Sequence, residues 1–160
     1  MSKHAVLPEA FEPEFVAALT AIFEERILFN RVLGLRITEI RPERVAGRID
    51  MKSDLVGHFQ YQRIHGGVIS AGLDAMAGLA VMAALGARHM DEPVAQRLAR
   101  FSRIGTIDMR VDYLRPGIGE HFELRAEVMR IGSRVASTRM EFLGADGTVL
   151  STGTAAYIVS

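Results

Sequence analysis

Apolar positions along the chain change period several times, and each change marks an element. Between Glu14 and Phe29, Phe15, Leu19, Ile22, Phe23 and Ile27 recur at three- and four-residue steps, with Glu24, Glu25 and Arg26 between them. That spacing predicts an amphipathic N-terminal helix over about 14–29. From Leu33 to Ile40, and again from Val45 to Met51, the period drops to two. Val45, Gly47, Ile49 and Met51 share one face, while Arg48, Asp50 and Lys52 share the other. Two antiparallel strands follow from this, with a turn at Arg41–Arg44.

Residues 53–66 are aperiodic and lead into His65-Gly66-Gly67. The next stretch, about 67–85, is small or apolar on every face, and Asp74 is its only charge. Such a helix belongs in a core or a bilayer. Its alanine and glycine content argues for the core, as does a central aspartate that costs about 2.5–3.5 kcal/mol to insert. Membrane insertion is therefore not expected. Residues 87–104 are arginine-rich, with a short helix expected over Glu92–Phe101. Four strands complete the chain, over about 107–113, 121–128, 135–142 and 149–159, with a hairpin turn at Gly144-Ala145-Asp146-Gly147. The order predicts a single α+β domain over residues 1–160. An antiparallel sheet of about six strands would wrap a central apolar helix and carry its charges outside.

Composition narrows the chemistry. Nineteen basic and nineteen acidic side chains cancel, so a nucleic-acid partner is not expected. The absence of cysteine removes disulfides, a thiolate nucleophile and thiolate-ligated zinc. His58 and His65 match no metal-ligand spacing, and no metal or cofactor is expected. Gly67 to Gly72 is one residue too long for a Gly-x-Ser-x-Gly elbow. Pro8 and Glu9 interrupt any secretion signal, which makes a cytoplasmic protein the expectation.

Asp74 is the first candidate, because a lone carboxylate among apolar residues is costly unless paired or functional. It reads as a general base or a group poised beside water, or as a structural acid bonded to a backbone amide or to Arg63 or Arg110 across an interface. Ser70, four residues earlier, shares its face. His65, Gly66 and Gly67 stand where the helix begins. Free amides there favour a developing oxyanion, although a glycine-rich helix entry is also an ordinary structural device. Asp108, Arg110 and Asp112 alternate on one strand and read as a solvated face.

The His-Gly-Gly turn, the aspartate nine residues after its histidine, and the segment Gly105-Thr106-Ile107-Asp108-Met109-Arg110-Val111-Asp112-Tyr113-Leu114-Arg115-Pro116-Gly117 together resemble the hotdog-fold thioesterases of the PaaI type. Within these the chain is most similar to the YigI-type medium- and long-chain acyl-CoA thioesterases, over about residues 15–159. The resemblance implies two copies paired edge to edge, as a homodimer or a dimer-of-dimers homotetramer, with acyl-CoA as substrate. It implies a thioester carbonyl held by the His65-Gly66-Gly67 amides, attack or water activation by Asp74 of the opposite subunit, and water positioning by Thr106. Arg115, Gly117, Arg130, Ser133 and Arg134, at strand ends and turns, are the candidates for the coenzyme's anionic end.

Two departures stand out. Related chains often carry Asn or Gln six residues before the histidine, where this chain has Phe59, with His58, Gln60 and Gln62 as possible substitutes. Strand parity also places Thr106 on the face of Asp108, so it reaches the site only if that edge faces the partner or the strand bulges at Gly105. The other functions weighed are a hotdog hydroxyacyl-thioester dehydratase and a non-catalytic acyl-CoA-binding protein.

Overall fold

A computed structural model describes residues 10–160. Proline at the first helical position opens α1 (Pro13–Ala21), which buries Phe15 and Leu19. The single helix expected over 14–29 is broken. A π turn at Ile22–Arg26 inserts one residue, closed by Ile27 N–H donating to Ile22 O at 3.0 Å, and Ile27 itself is extended. α2 (Leu28–Leu33) then starts afresh and ends at Gly34 in the left-handed region, φ 72°. Asn30, 3% exposed, donates its side-chain amide to Phe23 O at 2.9 Å and satisfies a carbonyl at the break. Four-residue spacing of apolar residues continues through a one-residue insertion, which is why the period did not reveal it.

β1 (Leu35–Ile40) and β2 (Val45–Asp50) form the expected hairpin, its turn closed by Arg41 N–H to Arg44 O. The 53–66 loop contains a small hairpin of its own, β3 (Val56–His58) and β4 (Arg63–Ile64). α3 (Gly66–Arg88) is three residues longer than expected at its C-terminal end. The short helix is α4 (Val94–Ala99), continued by a 3-10 turn at Arg100–Arg103. β5 (Gly105–Tyr113), β6 (His121–Ile131), β7 (Val135–Gly144) and β8 (Val149–Ile158) complete the chain.

The six long strands form one antiparallel sheet in the order β1-β2-β6-β7-β8-β5, curled round α3 in the hotdog arrangement. α3 is apolar because it is enclosed: Leu73, Met76, Leu79, Val81 and Met82 are at most 1% exposed. α1 approaches α3 at Gly86, where a Cβ would lie 2.3 Å from the Phe15 ring. Arg97 of α4, 1% exposed, bonds the Glu12 carboxylate at 2.6 Å and lies over the Phe15 ring, tying α4 to α1. That hydrogen bond holds the Glu12 carboxyl below the usual range. The outer sheet face carries the expected charge pairs, among them Arg110–Asp112, Arg125–Glu123 and Arg139–Glu127.

β5 lies at an edge of the sheet, and its pairing with β8 decides the parity question. Thr106 is opposite Tyr157 and Asp108 opposite Ala156, so Ile107 is an extra residue without a cross-strand partner. Its side chain is 56% exposed. The bulge falls at Ile107 rather than Gly105, and it turns Thr106 inward toward α3.

Candidate active site

Asp74 sits two turns into α3, on the side facing β5 and β8. Its Oδ1 accepts hydrogen bonds from the Tyr157 hydroxyl at 2.6 Å and the Thr106 hydroxyl at 2.9 Å. The Tyr157 hydroxyl also lies 2.9 Å from the Asp74 carbonyl oxygen. Burial first, then the adjacent carboxylate, pushes the Tyr157 phenol up, so it remains protonated and donates. Within the chain neither Arg63 nor Arg110 pairs with Asp74, a pairing expected only across an interface, and Ser70 donates to Gly67 O at 3.1 Å.

Among the described residues no protein group bonds the second carboxylate oxygen, Oδ2. Asp74 is only part-buried in the single chain, because it forms part of the wall of an open apolar cleft of about 250 Å³. Phe23, Ile27 and Phe29 wall one side of the cleft, and Phe101 and Ile104 another. The arginine-rich 87–104 segment thus lines the cleft through two of its few large apolar residues. The broken N-terminal helix contributes as much, which its amphipathic pattern did not foretell.

The His65-Gly66-Gly67 turn is built as a helix cap. His65 is the N-cap residue, and its Nδ1 accepts from Gly67 N–H at 2.8 Å. Gly67 is held close, since a Cβ there would lie 2.9 Å from that nitrogen. His65 O takes the Val68 N–H, so the amide left without an acceptor among the described residues is that of Gly66. Tyr113 donates to Gly66 O at 3.1 Å, and His65 N–H donates to Leu55 O at 2.8 Å, fixing the turn from both sides.

Gly66 and Asp74 are eight residues apart on one helix, about 12 Å along its axis. One thioester carbonyl cannot touch both. The remaining candidates divide in the same way. Arg115 lies at the Tyr113 end of β5, where it donates to Val149 O at 2.9 Å. Gly117 is buried there, its missing side chain explained by Ile64 at 2.5 Å from a Cβ. Arg130, Ser133 and Arg134 are exposed around the β6–β7 turn, at the Thr106 end. In the β3–β4 turn, Phe59 is 76% exposed and Gln62 donates to Phe59 O at 2.7 Å. His58 stacks near Phe59 and Tyr61, and none of these side chains bonds His65 or Asp74.

Tyr157 is the candidate site residue that the sequence reading missed. Its signal was present: a tyrosine on the core face of the last strand, needing a hydroxyl partner, opposite a helix with one unpaired acid. As a positioning residue it holds the carboxylate in one rotamer. Tyr157→Phe is expected to lower kcat about ten-fold or more with KM little changed, since hydrogen bonds to charged groups are worth about 1.5–3 kcal/mol. Steady-state kinetics on the two proteins checks the split. A rise in KM with kcat unchanged would assign Tyr157 to substrate binding instead of to positioning Asp74.

The sequence pattern of the Thioesterase superfamily matches residues 61–151. The medium/long-chain acyl-CoA thioesterase YigI of Escherichia coli strain K12 is 36% identical over 138 residues, covering 86% of this chain and 89% of that protein. A crystal structure of a Shewanella oneidensis protein related to the thioesterase superfamily superposes with TM-score 0.86 at 37% identity, covering 94% of this chain and 100% of that one. Mouse thioesterase superfamily member 2 shares the fold, with TM-score 0.72 at 18% identity, over 94% of this chain and 100% of that one.

Proposed function

This chain belongs to the thioesterase superfamily, and from that premise we propose that it hydrolyses medium- to long-chain acyl-CoA thioesters to free acid and coenzyme A. The observation that carries the reading is a carboxylate fixed at Oδ1 by two hydroxyls, with Oδ2 open to an apolar cleft.

In the proposed reaction the acyl chain lies in the cleft and brings its carbonyl beside Asp74. Oδ2 attacks the carbonyl carbon, or takes a proton from the water that attacks it. Thr106 and Tyr157 hold Oδ1 still while this happens. Negative charge builds on the carbonyl oxygen, where a free amide at a helix N-terminus is the matching donor. Collapse of the intermediate breaks the C–S bond, and the coenzyme leaves as a thiolate that takes up a proton. Where water attacked, the free acid forms in this step; where Oδ2 attacked, water then hydrolyses the Asp74–acyl anhydride, releasing the acid and restoring the carboxylate.

Because Gly66 and Asp74 of one chain are about 12 Å apart, the amide is supplied by a second copy. β5 is an edge strand with unpaired backbone groups, suited to pairing with its own copy. Antiparallel pairing centred near Met109 places the partner's Tyr113 end against the Thr106 end of the first chain. Gly66 of one copy then faces Asp74 of the other. The same pairing brings the two groups of coenzyme candidates together: Arg115 and Gly117 from one copy, Arg130, Ser133 and Arg134 from the other. Their arginines suit the diphosphate and ribose phosphate of the coenzyme.

Release of free thiol from a panel of saturated acyl-CoAs tests the function. Steady turnover is expected without added metal or cofactor, rising with chain length through the medium range. Saturable binding of acyl-CoA without thiol release would identify a binding protein instead.

A further inference from the structure

A second apolar depression lies beyond the Asp74 cleft, and the reaction derived above does not use it. It is a groove of about 450 Å³ between α1 and the α4 segment, walled by Ala18, Ala21 and Ile22 on one side and Leu98, Ala99 and Ser102 on the other. Ile27 and Phe101 line both spaces and form the partition between them.

Both partition residues stand at joints. Ile27 is the extended residue between the π turn and α2, and Phe101 belongs to the 3-10 turn after α4. The Phe101 ring is 37% exposed and meets Phe23 edge-on at 5.9 Å. A change of rotamer there opens the partition without breaking a backbone hydrogen bond. The outer walls are pinned by contrast, because Arg97 clamps α4 to the start of α1 through Glu12.

We infer that the distal methylenes of a long acyl chain pass between Ile27 and Phe101 into the α1–α4 groove, and that Phe101 sets the chain length at which binding stops improving. The groove adjoins the cleft that receives the thioester, with Ile27 and Phe101 the residues shared by the two. Its walls are alanine, leucine and isoleucine, with Arg26 the one charged side chain lining it, so a hydrocarbon chain is the matching occupant. The small side chains at Ala18, Ala21 and Ala99 leave the width such a chain needs. α1 and the π turn lie outside the segment that the family pattern matches, consistent with a feature that tunes rather than performs the chemistry.

The inference rests on the acyl-CoA thioesterase reading, and the test separates the two. kcat/KM is measured for hexanoyl- to hexadecanoyl-CoA on the full-length native chain, Ala99→Trp and Phe101→Ala. Affinity for free hexanoate and free hexadecanoate is measured by calorimetry on the same proteins. Each methylene buried raises kcat/KM about four-fold until the space is filled. Ala99→Trp, which fills the groove, is expected to lower the hexadecanoyl-to-hexanoyl ratio at least about ten-fold, with a matching loss of hexadecanoate affinity. Phe101→Ala is expected to move the optimum to longer chains. Opposite shifts in the two variants cannot come from a general loss of stability. Unchanged chain-length ratios in both variants overturn the inference. If no acyl-CoA is turned over, the thioesterase reading fails, and the hexadecanoate affinities still decide the groove: weaker binding by Ala99→Trp supports it, equal binding overturns it.

Discussion

Asp74→Asn is expected to leave a folded protein that releases thiol from acyl-CoA at least about 100-fold more slowly than the native chain. Asparagine keeps the shape of the side chain, and its amide oxygen can still accept from Tyr157 and Thr106 at the Oδ1 position. What changes is the other terminal atom. The open oxygen facing the cleft becomes an NH₂ group, which can neither attack a carbonyl nor take a proton from water. Stability should hold or rise, because Asp74 has no cationic partner among the described residues and an amide is cheaper to desolvate than a carboxylate. A purely structural aspartate behaves in the opposite way, losing thermal stability while whatever remains folded keeps its activity. Thermal midpoint and thiol release, measured on one preparation, distinguish these outcomes. Full activity in a folded Asp74→Asn protein would sink the mechanism.

Equal amounts of two nearly inactive variants should regain about a quarter of native activity when their subunits are exchanged and re-paired at random. The partner for Asp74→Asn is Gly66→Pro. Gly66 is the first residue of α3, where proline fits the helix and removes the amide hydrogen, its Cβ falling 3.3 Å from the Tyr113 ring, which must shift by a few tenths of an ångström. His65 precedes it at φ −67° and ψ 135°, the conformation that a following proline requires. Loss of one oxyanion donor costs about 10²–10³-fold in kcat. In a hybrid dimer, one site combines both defects and the other combines neither. Half of the pairs are hybrids, and half of their sites are intact. If both elements instead served one site within a single chain, mixing would restore nothing. Activity after denaturation and co-refolding, compared with each variant refolded alone, gives the answer.

Much of this architecture was legible because it rests on period and burial. The alternation of Val45, Gly47 and Ile49 matched a strand with those residues inside, Met51 falling just past its end and only part-buried, and an all-round apolar stretch matched an enclosed helix. The break at Ile22–Ile27 was not legible, because a π insertion preserves the apolar spacing and changes only backbone hydrogen bonding. Asp74 was found from the cost of burying a charge. Of its partners, Thr106 entered only through the resemblance, in a water-positioning role, and Tyr157 not at all, because they lie 32 and 83 residues away in sequence. The His65 turn and Asp74 stand about 12 Å apart along α3 and reach different ends of β5, which agrees with the resemblance's assignment of them to opposite subunits.

Ile107 has a place in the sequence but none in the sheet. By the count that β8 imposes, Thr106 and Asp108 are neighbours, and the residue between them has no number. Deleting Ile107 would leave a regular strand with the Thr106 hydroxyl still turned toward Asp74. Keeping it while flattening the bulge would present isoleucine to the carboxylate and turn threonine to solvent. Faces in this strand therefore follow the ladder, and any transfer of residues onto β5 by simple counting misplaces every side chain before the bulge.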